Sequence, residues 1–383
     1  MIARPVGSPG RPWLPVAIAA VAVGVFLVTV PTFRHFFDLG VYRGAVRYWL
    51  FESGDLYDYR YLDTAYGFTY PPFAALVFSP LLATSWPVAV AAALLLNVAA
   101  VVLLLRWYLV PILRRNDWPV WRPCAFAFLA ILVFEPARDT FSYGQVNLGL
   151  LVLASADLRA LRTGGRWAGV GIGVATAIKL TPAVFIGYLL LTRRYRAAVL
   201  AAGTAALATL LAAIIAPDAS RVFWTGALWD TGRVDKLAYV SNQSLRGVVA
   251  RLQLSPLWWL AAVTAVLVIW CVLVRRADQV TGFALTGVVA CLISPVTWVH
   301  HLVWLLPALF LLLGQALDGR NRPRLAALAG VYVVLSSSVV WLWWAGTSGW
   351  LAAIGSNTYV WISLGLLAAV PTVRTASYAP AGR

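Results

Sequence analysis

The chain has 383 residues, of which 61% are hydrophobic and only 11% are charged. Soluble domains usually carry about a quarter charged residues, so this composition excludes an ordinary soluble enzyme and predicts one membrane domain over residues 1–383. The net charge of +16 does not predict a nucleic-acid partner, because the arginines occur in short clusters between apolar runs, which is typical of cytoplasmic loops beside membrane lipids.

The apolar runs predict an all-α polytopic membrane protein with roughly ten to twelve helical segments. The first run, residues 13–30, follows Arg4 and Arg11 and is predicted to be a retained helix whose N-terminus lies inside the cell. Residues 34–70 combine acidic and aromatic side chains, which predicts a first outer loop with interfacial helices. Further apolar segments are expected at 71–83, 86–106, 123–134 and 148–161.

Residues 167–191 lie between two arginine-bearing ends and are interrupted by Lys179-Leu180-Thr181-Pro182. This pattern predicts two half-length helices with a break that protein must cover. A second large outer loop is expected at 218–251, and Arg374 and the tail are expected inside. The spans around that loop are predicted at 197–216, 257–274, 282–298, 300–316, 325–345 and 359–371.

This topology brings four polar segments to the extracytoplasmic face: 38–70, 135–147, 218–251 and 298–301. Polar groups that converge at a membrane protein's apolar–aqueous boundary predict a functional site. Asp38 lies among apolar and aromatic residues, where desolvation would make its carboxylate a better proton acceptor. It is therefore a candidate catalytic base, and the alternative is an ordinary interfacial aspartate.

Lys179 is one of two lysines and stands in an apolar context, so it either binds a lipid phosphate or extends to the interface. Gln145 and Asn147 offer donors and acceptors that suit hydroxyl groups. In the same segment, Glu135, Arg138 and Asp139 are expected to form a structural ion pair.

Several further side chains are candidates for binding sugar, lipid or phosphate. Tyr42 and Tyr70 are aromatic candidates for the acceptor, although a structural role is the alternative. The run 241–247 contributes amide and guanidinium groups that suit a sugar or phosphate, unless it simply caps a helix; its candidates are Asn242, Gln243 and Arg246. His300 and His301 are adjacent, so they make a poor zinc site, and one of them could donate to a phosphate. No metal or cofactor is predicted.

Seven stretches between residues 36 and 307 occur together in a characteristic order: FDLGVY, FTYPPFAALVF, EPARDTFSYGQVN, AIKLTP, DTGRV, SNQSLRG and SPVTWVHHLVWLLP. Together they resemble glycosyltransferase family 87, the polyprenyl-phosphate-mannose-dependent mannosyltransferases of cell-envelope biosynthesis. The resemblance implies a GT-C membrane fold with its active site at the extracytoplasmic face of the cell membrane. It also implies inverting transfer of mannose from a polyprenyl-phosphate-mannose donor to a phosphatidylinositol mannoside-type glycolipid acceptor, through an α-1,2 linkage.

By this resemblance, Asp38 takes the proton from the acceptor 2-hydroxyl. The candidates for binding the donor phosphate are Lys179, Arg246 and one of the two histidines, with His301 preferred. A lipomannan or lipoarabinomannan α-1,2-mannosyltransferase is the close alternative. Residues 49–66 and the extreme C-terminus match no family motif, so the resemblance leaves the acceptor open. A GT-C enzyme for another sugar is a further alternative. A transporter of lipid-linked sugars would place polar groups near the membrane midplane, often with inverted repeats, and no repeat is evident.

Overall fold

The computed structural model describes residues 13–370 apart from 63, 235 and 347–348. Arg4, Arg11 and Arg374, on which part of the predicted topology depends, lie outside the described residues, as does Asp63 of the first outer loop. The α-helices of the described part are α1 (Leu14–Thr29), α2 (Phe37–Phe51), α3 (Pro72–Phe78), α4 (Trp86–Leu104), α5 (Val110–Arg115), α6 (Trp121–Val133), α7 (Glu135–Tyr143), α8 (Asn147–Thr163), α9 (Val170–Ile178), α10 (Val184–Leu191), α11 (Tyr195–Ile215), α12 (Pro217–Val222), α13 (Leu245–Arg251), α14 (Pro256–Arg276), α15 (Gln279–Ile293), α16 (Leu306–Asp318), α17 (Arg322–Ser336), α18 (Trp350–Gly355) and α19 (Thr358–Ala369).

Helices account for all the regular structure in the described residues, which confirms the all-α prediction. Four continuous helical stretches are long and apolar enough to cross a bilayer: Trp86–Arg115, Tyr195–Ile215, Pro256–Arg276 and Val299–Asp318. Inside lipid every backbone polar group must find an internal partner, and a helix satisfies this requirement within its own segment. The composition and these four helices together make the chain a membrane protein.

α15 forms the centre of the helical core, since nearly all of its side chains are buried. It packs against α10, α14, α16 and α19. The outer helices instead turn apolar side chains away from the protein: Val199 and Ile214 of α11 are 70% and 79% exposed, and Leu257 of α14 is 71% exposed. Such wide apolar surfaces would be unfavourable in water, so these helices face lipid.

The predicted break at Lys179 is confirmed. α9 ends at Ile178, and Lys179 has an extended backbone with φ −149° and ψ 128°. A single 3₁₀ turn, Thr181–Ala183, then leads into α10. Pro182 lacks an N–H, so an uninterrupted helix would be destabilised here. The break leaves Lys179 outside both helices and free to direct its side chain inward.

One predicted span is not a continuous helix. The sequence predicted a single apolar segment over residues 325–345, but α17 ends at Ser336 and the chain resumes as a 3₁₀ helix, Val339–Trp343. The turn requires a positive φ of 58° at Ser338. Arg138 stabilises this turn, because its guanidinium donates to the Ser336 carbonyl at 3.4 Å and to Ser338 Oγ at 2.6 Å.

Candidate active site

Asp38 is placed by an unusual turn between α1 and α2. His35 and Phe36 both have positive φ, 51° and 54°, a conformation that costs about 1–3 kcal/mol for a non-glycine residue. Two hydrogen bonds to Ser142 of α7 hold the turn: Arg34 N–H donates to Ser142 Oγ at 2.6 Å, and Phe36 N–H donates to the Ser142 carbonyl at 2.9 Å. The turn therefore fixes the first residues of α2, including Asp38, against the end of α7.

Gln145 reaches Asp38 from the other side of the same junction. Gly144 ends α7 with φ 70°, and a Cβ at this position would lie only 2.7 Å from Leu39 Cβ, so glycine is required both for conformation and for space. The following Gln145 donates from Nε2 to Asp38 Oδ2 at 2.6 Å. Asn97 of α4 donates to the Gln145 carbonyl at 3.1 Å. Gln145 is therefore held rigidly beside the carboxylate.

Burial gives the Asp38 carboxyl an unusual proton affinity. Burial raises the pKa of Asp38 from 3.8 to about 6, while the Gln145 hydrogen bond and the Lys179 charge act in the opposite direction. The group is therefore ionised at neutral pH yet accepts a proton more readily than an ordinary aspartate. A general base works best when its pKa lies near the working pH.

Lys179 lies at the far end of a continuous chain of polar side chains. Its Nζ donates to Asn147 Oδ1 at 2.9 Å and lies 2.7 Å from His301 Nε2. Asn147 in turn donates from Nδ2 to Gln145 Oε1 at 3.2 Å. We call Asp38, Gln145, Asn147, Lys179 and His301 the polar chain. It joins a carboxylate to an amine through two amides.

Tyr70 occupies the middle of the polar chain. Its hydroxyl donates to Gln145 Oε1 at 3.0 Å and lies 2.9 Å from the Tyr42 hydroxyl, and Lys179 Nζ approaches it at 3.4 Å. Tyr42 and Tyr70 are only 2% and 7% exposed. Both residues therefore belong to the candidate site, but through their hydroxyl groups. Their predicted use as an aromatic platform for an acceptor stays a prediction.

The two histidines have different surroundings. They lie on the 3₁₀ segment Val299–Leu305, with ring centroids 4.7 Å apart at a steep angle. His301 contacts Lys179, whereas the His300 ring packs 5.2 Å from Tyr143. Of the two histidines, His301 therefore belongs to the polar chain and His300 does not. Within the described part of the chain, no cluster of three His, Cys, Asp or Glu side chains is arranged to hold a metal.

The other predicted residues lie away from the polar chain. Asn242 donates from Nδ2 to the carbonyls of Leu237 and Pro295 and accepts from Thr297 N–H at 2.9 Å. Gln243 donates to the carbonyls of Val240 and Ser356. The Arg246 guanidinium packs 5.1 Å from the Trp259 ring. Asn242 and Gln243 thus join their loop to neighbouring segments, and Arg246 packs on α14, while the donor-binding role of all three stays a prediction.

The segment that begins α7 contains the predicted ion pair. Arg138 Nη2 lies 4.0 Å from Glu135 Oε1, and both side chains are buried. Sequence reasoning did not select Arg34, yet its guanidinium lies 4.8 Å from the Trp341 ring, close to this pair. Arginines at the ends of apolar helices occur in most membrane proteins, so no local signal distinguished Arg34.

These features define a membrane protein in which a carboxylate is joined to a lysine and a histidine by one buried polar chain. The chain belongs to glycosyltransferase family 87, whose family model matches residues 68–295. It is 31% identical over 373 residues to the polyprenol-phosphate-mannose-dependent α-(1-2)-phosphatidylinositol mannoside mannosyltransferase of Mycobacterium tuberculosis, an alignment that covers 90% of this chain and 86% of the relative.

Two further relatives are similar over most of their length. A Mycolicibacterium smegmatis protein with the same name is 35% identical over 306 residues, covering 71% of this chain and 68% of the relative. A polyprenol-phosphate-mannose-dependent α-(1-2)-phosphatidylinositol pentamannoside mannosyltransferase of M. tuberculosis is 35% identical over 381 residues, covering 86% of this chain and 84% of the relative. No solved structure matches the chain.

Proposed function

We propose that the protein transfers mannose from polyprenyl-phosphate-mannose to a phosphatidylinositol mannoside-type glycolipid and forms an α-1,2 linkage. The observation that carries the proposal is the polar chain, which connects Asp38 to Lys179 and His301 through hydrogen bonds of 2.6–3.2 Å. Its members come from well-separated parts of the sequence, as expected for an assembled site. The names of the relatives supply the donor and the acceptor class.

In the proposed reaction, Asp38 accepts the proton of the acceptor hydroxyl as that oxygen attacks the anomeric carbon. The new carbon–oxygen bond forms on one face of the sugar while the bond to the phosphate oxygen breaks on the other, so the configuration inverts. The electron pair leaves with the polyprenyl phosphate. Lys179 stabilises the negative charge that grows on this group, and His301 can donate a hydrogen bond to it, as preorganised charges and donors do in other transition states. The Asp38 proton passes afterwards to solvent.

We also propose a GT-C fold of ten to twelve membrane segments with interfacial helices and an extracytoplasmic site. Contacts among the arginine-bearing helix ends support this orientation. Arg115 of α5 pairs with Asp318 of α16 at 2.6 Å, and Arg196 of α11 donates to the Arg166 carbonyl at 3.4 Å. These helix ends carry the arginine clusters that are expected on the cytoplasmic side, whereas the polar chain lies at the opposite ends of the helices.

The test compares wild type with Asp38→Asn in detergent, using polyprenyl-phosphate-mannose and a phosphatidylinositol tetramannoside acceptor. Asparagine retains an oxygen that accepts from Gln145 Nε2, so the fold should survive while the base is lost. Transfer should fall by roughly 10²–10⁴-fold, the usual contribution of a general base. Glu52→Gln is the matched control, because it removes an exposed carboxylate just beyond the other end of α2 and should transfer normally.

Equal transfer by wild type and Asp38→Asn would remove Asp38 from the mechanism. Absence of transfer by wild type would contradict the proposed acceptor. Lipomannan-type acceptors would then be tested, followed by a transport assay for lipid-linked sugar.

A further inference from the structure

A cavity that no member of the polar chain lines, which we call the second cavity, lies at the start of α7. Its volume is about 460 Å³, within the roughly 300–1,000 Å³ typical of small-molecule sites. It forms where the ends of α1 and α17 meet the start of α7. The side chains that matter for its chemistry are Arg34, Glu135, Arg138, Asp139, Trp341 and Trp344.

Some polar groups in this cavity lack hydrogen-bond partners within the described residues. Arg34 Nε, Arg138 Nε and Ser336 Oγ are buried and bond to no other described group. Arg138 is itself only 7% exposed. Buried donors without partners are rare in folded proteins because they are costly, and a ligand with acceptor oxygens would satisfy them. The neighbouring Glu135 carboxylate, by contrast, already accepts from Trp341 Nε1 and from the Tyr359 hydroxyl.

The mixture of groups favours a sugar over a phosphate or a lipid tail. Two guanidinium groups are opposed by two carboxylates, so a phosphate would meet repulsion from Glu135 and Asp139 as well as attraction. A hexose, however, both donates and accepts through its hydroxyl groups and packs the apolar face of its ring on an indole. Trp341 and Trp344 supply indole rings, and the Arg34 guanidinium lies 4.8 Å from the ring of Trp341.

The cavity adjoins the proposed base. Arg34 lies four residues before Asp38 and packs 5.6 Å from the Tyr143 ring, which in turn contacts His300. Burial and the neighbouring Glu135 raise the pKa of Asp139 to about 7, and the charge on Asp38 contributes to the same increase. A sugar in the cavity would therefore lie within reach of a second sugar placed at Asp38.

We infer that this cavity binds the mannose residue that precedes the accepting mannose in the acceptor glycan. The inference rests on the proposed function, because it takes the acceptor to be a mannosylated lipid. It assigns Arg34, Trp341 and Trp344 to acceptor recognition and leaves the donor phosphate to Lys179 and His301.

The first arm of the test measures binding without transfer. Soluble methyl α-mannobioside is offered to wild type, Trp344→Ala and Arg34→Gln, and binding is followed by saturation-transfer NMR. Trp350→Ala is the matched control, since Trp344 and Trp350 are both 71% exposed and only Trp344 lines the cavity. We expect binding to wild type and Trp350→Ala, and weaker binding to the other two variants. Absence of binding to wild type, or equal binding to all four proteins, would overturn the inference.

The second arm measures transfer to two acceptors on the same lipid, one ending in a single mannose and the other in mannobiose. Wild type should prefer the mannobiose acceptor. This preference, which is kcat/KM for the mannobiose acceptor divided by kcat/KM for the single-mannose acceptor, should fall by about fivefold to tenfold in Trp344→Ala and Arg34→Gln, as expected for the loss of one aromatic or hydrogen-bonding contact. Donor KM should not change. An unchanged ratio in variants that still transfer mannose would refute the inference and leave the proposed function intact. Failure of wild type to transfer to either acceptor would refute the proposed function. In that case the binding measurement would still decide whether the cavity binds mannobiose.

Discussion

Replacement of Gln145 by methionine is predicted to move the pH dependence of transfer toward alkaline pH. Gln145 Nε2 donates to Asp38 Oδ2 over 2.6 Å, and this bond stabilises the ionised carboxylate. Hydrogen bonds to charged groups contribute about 1.5–3 kcal/mol, and one pKa unit corresponds to about 1.36 kcal/mol. Loss of the bond should therefore raise the pKa of Asp38, now about 6, by roughly one to two units.

The sign of the effect follows from the role of Asp38 as a base. Only the ionised form accepts a proton, so transfer rises with pH through the pKa and then reaches a plateau. For wild type the rise should centre near pH 6. In Gln145→Met it should centre at roughly pH 7–8, so that transfer falls by about fivefold to fiftyfold at pH 6 and recovers in alkaline buffer.

The assay records kcat/KM between about pH 5 and 9. Asn97→Leu is the first control. It removes the 3.1 Å hydrogen bond from Asn97 to the Gln145 backbone carbonyl, but it leaves the Gln145 side chain in place beside Asp38. Asp139→Asn is the second, because burial and Glu135 raise the pKa of Asp139 to about 7, and its ionisation could otherwise be mistaken for that of Asp38. The rise should persist in both controls. A rise at the same pH in Gln145→Met as in wild type would refute the reasoning.

Three further predictions concern the donor side and the scaffold. Lys179→Met should lower kcat by about 10²–10³-fold through loss of leaving-group stabilisation, with partial recovery in Lys179→Arg, as measured by single-turnover transfer. Asn242→Ala should lower the thermal unfolding midpoint by several degrees without changing donor KM, because its amide joins two loops; a raised donor KM at unchanged stability would instead make it a donor ligand. Exhaustive chelation should leave transfer intact, and a loss restored by magnesium or manganese would contradict metal independence.

The sequence was most informative where a charge stands in apolar surroundings. Asp38 and Lys179 stand out on this ground, because an unpaired charge at a membrane boundary is costly and must be matched by partners. The structure brings both into the polar chain with Gln145 and Asn147, which were chosen for their amide groups. The helix break at Lys179 was equally predictable, since Pro182 cannot continue an α-helix.

The run at 241–247 was less informative, because the same types of polar residue occur both in ligand-binding sites and in turns and helix caps. Ser244 accepts from Gly247 N–H at 3.1 Å as the N-cap of α13, which was the alternative interpretation. The interruption of the predicted span at 325–345 was missed because Arg138, which binds the turn at Ser336 and Ser338, lies about two hundred residues earlier. The second cavity was missed for the same reason: its walls come from three distant parts of the chain.

Helix α7 connects the second cavity to the proposed base through nine residues of regular backbone. Its start carries Glu135, Arg138 and Asp139, and Gly144 at its end directs Gln145 to Asp38. An α-helix advances about 1.5 Å and turns about 100° per residue, so α7 acts as a molecular ruler with a fixed length and a fixed angle. Insertion of one residue would rotate one end against the other and present a different hydroxyl to the carboxylate. The distance and the angle between the second cavity and Asp38 are therefore set by the length of this helix as well as by the side chains at its two ends.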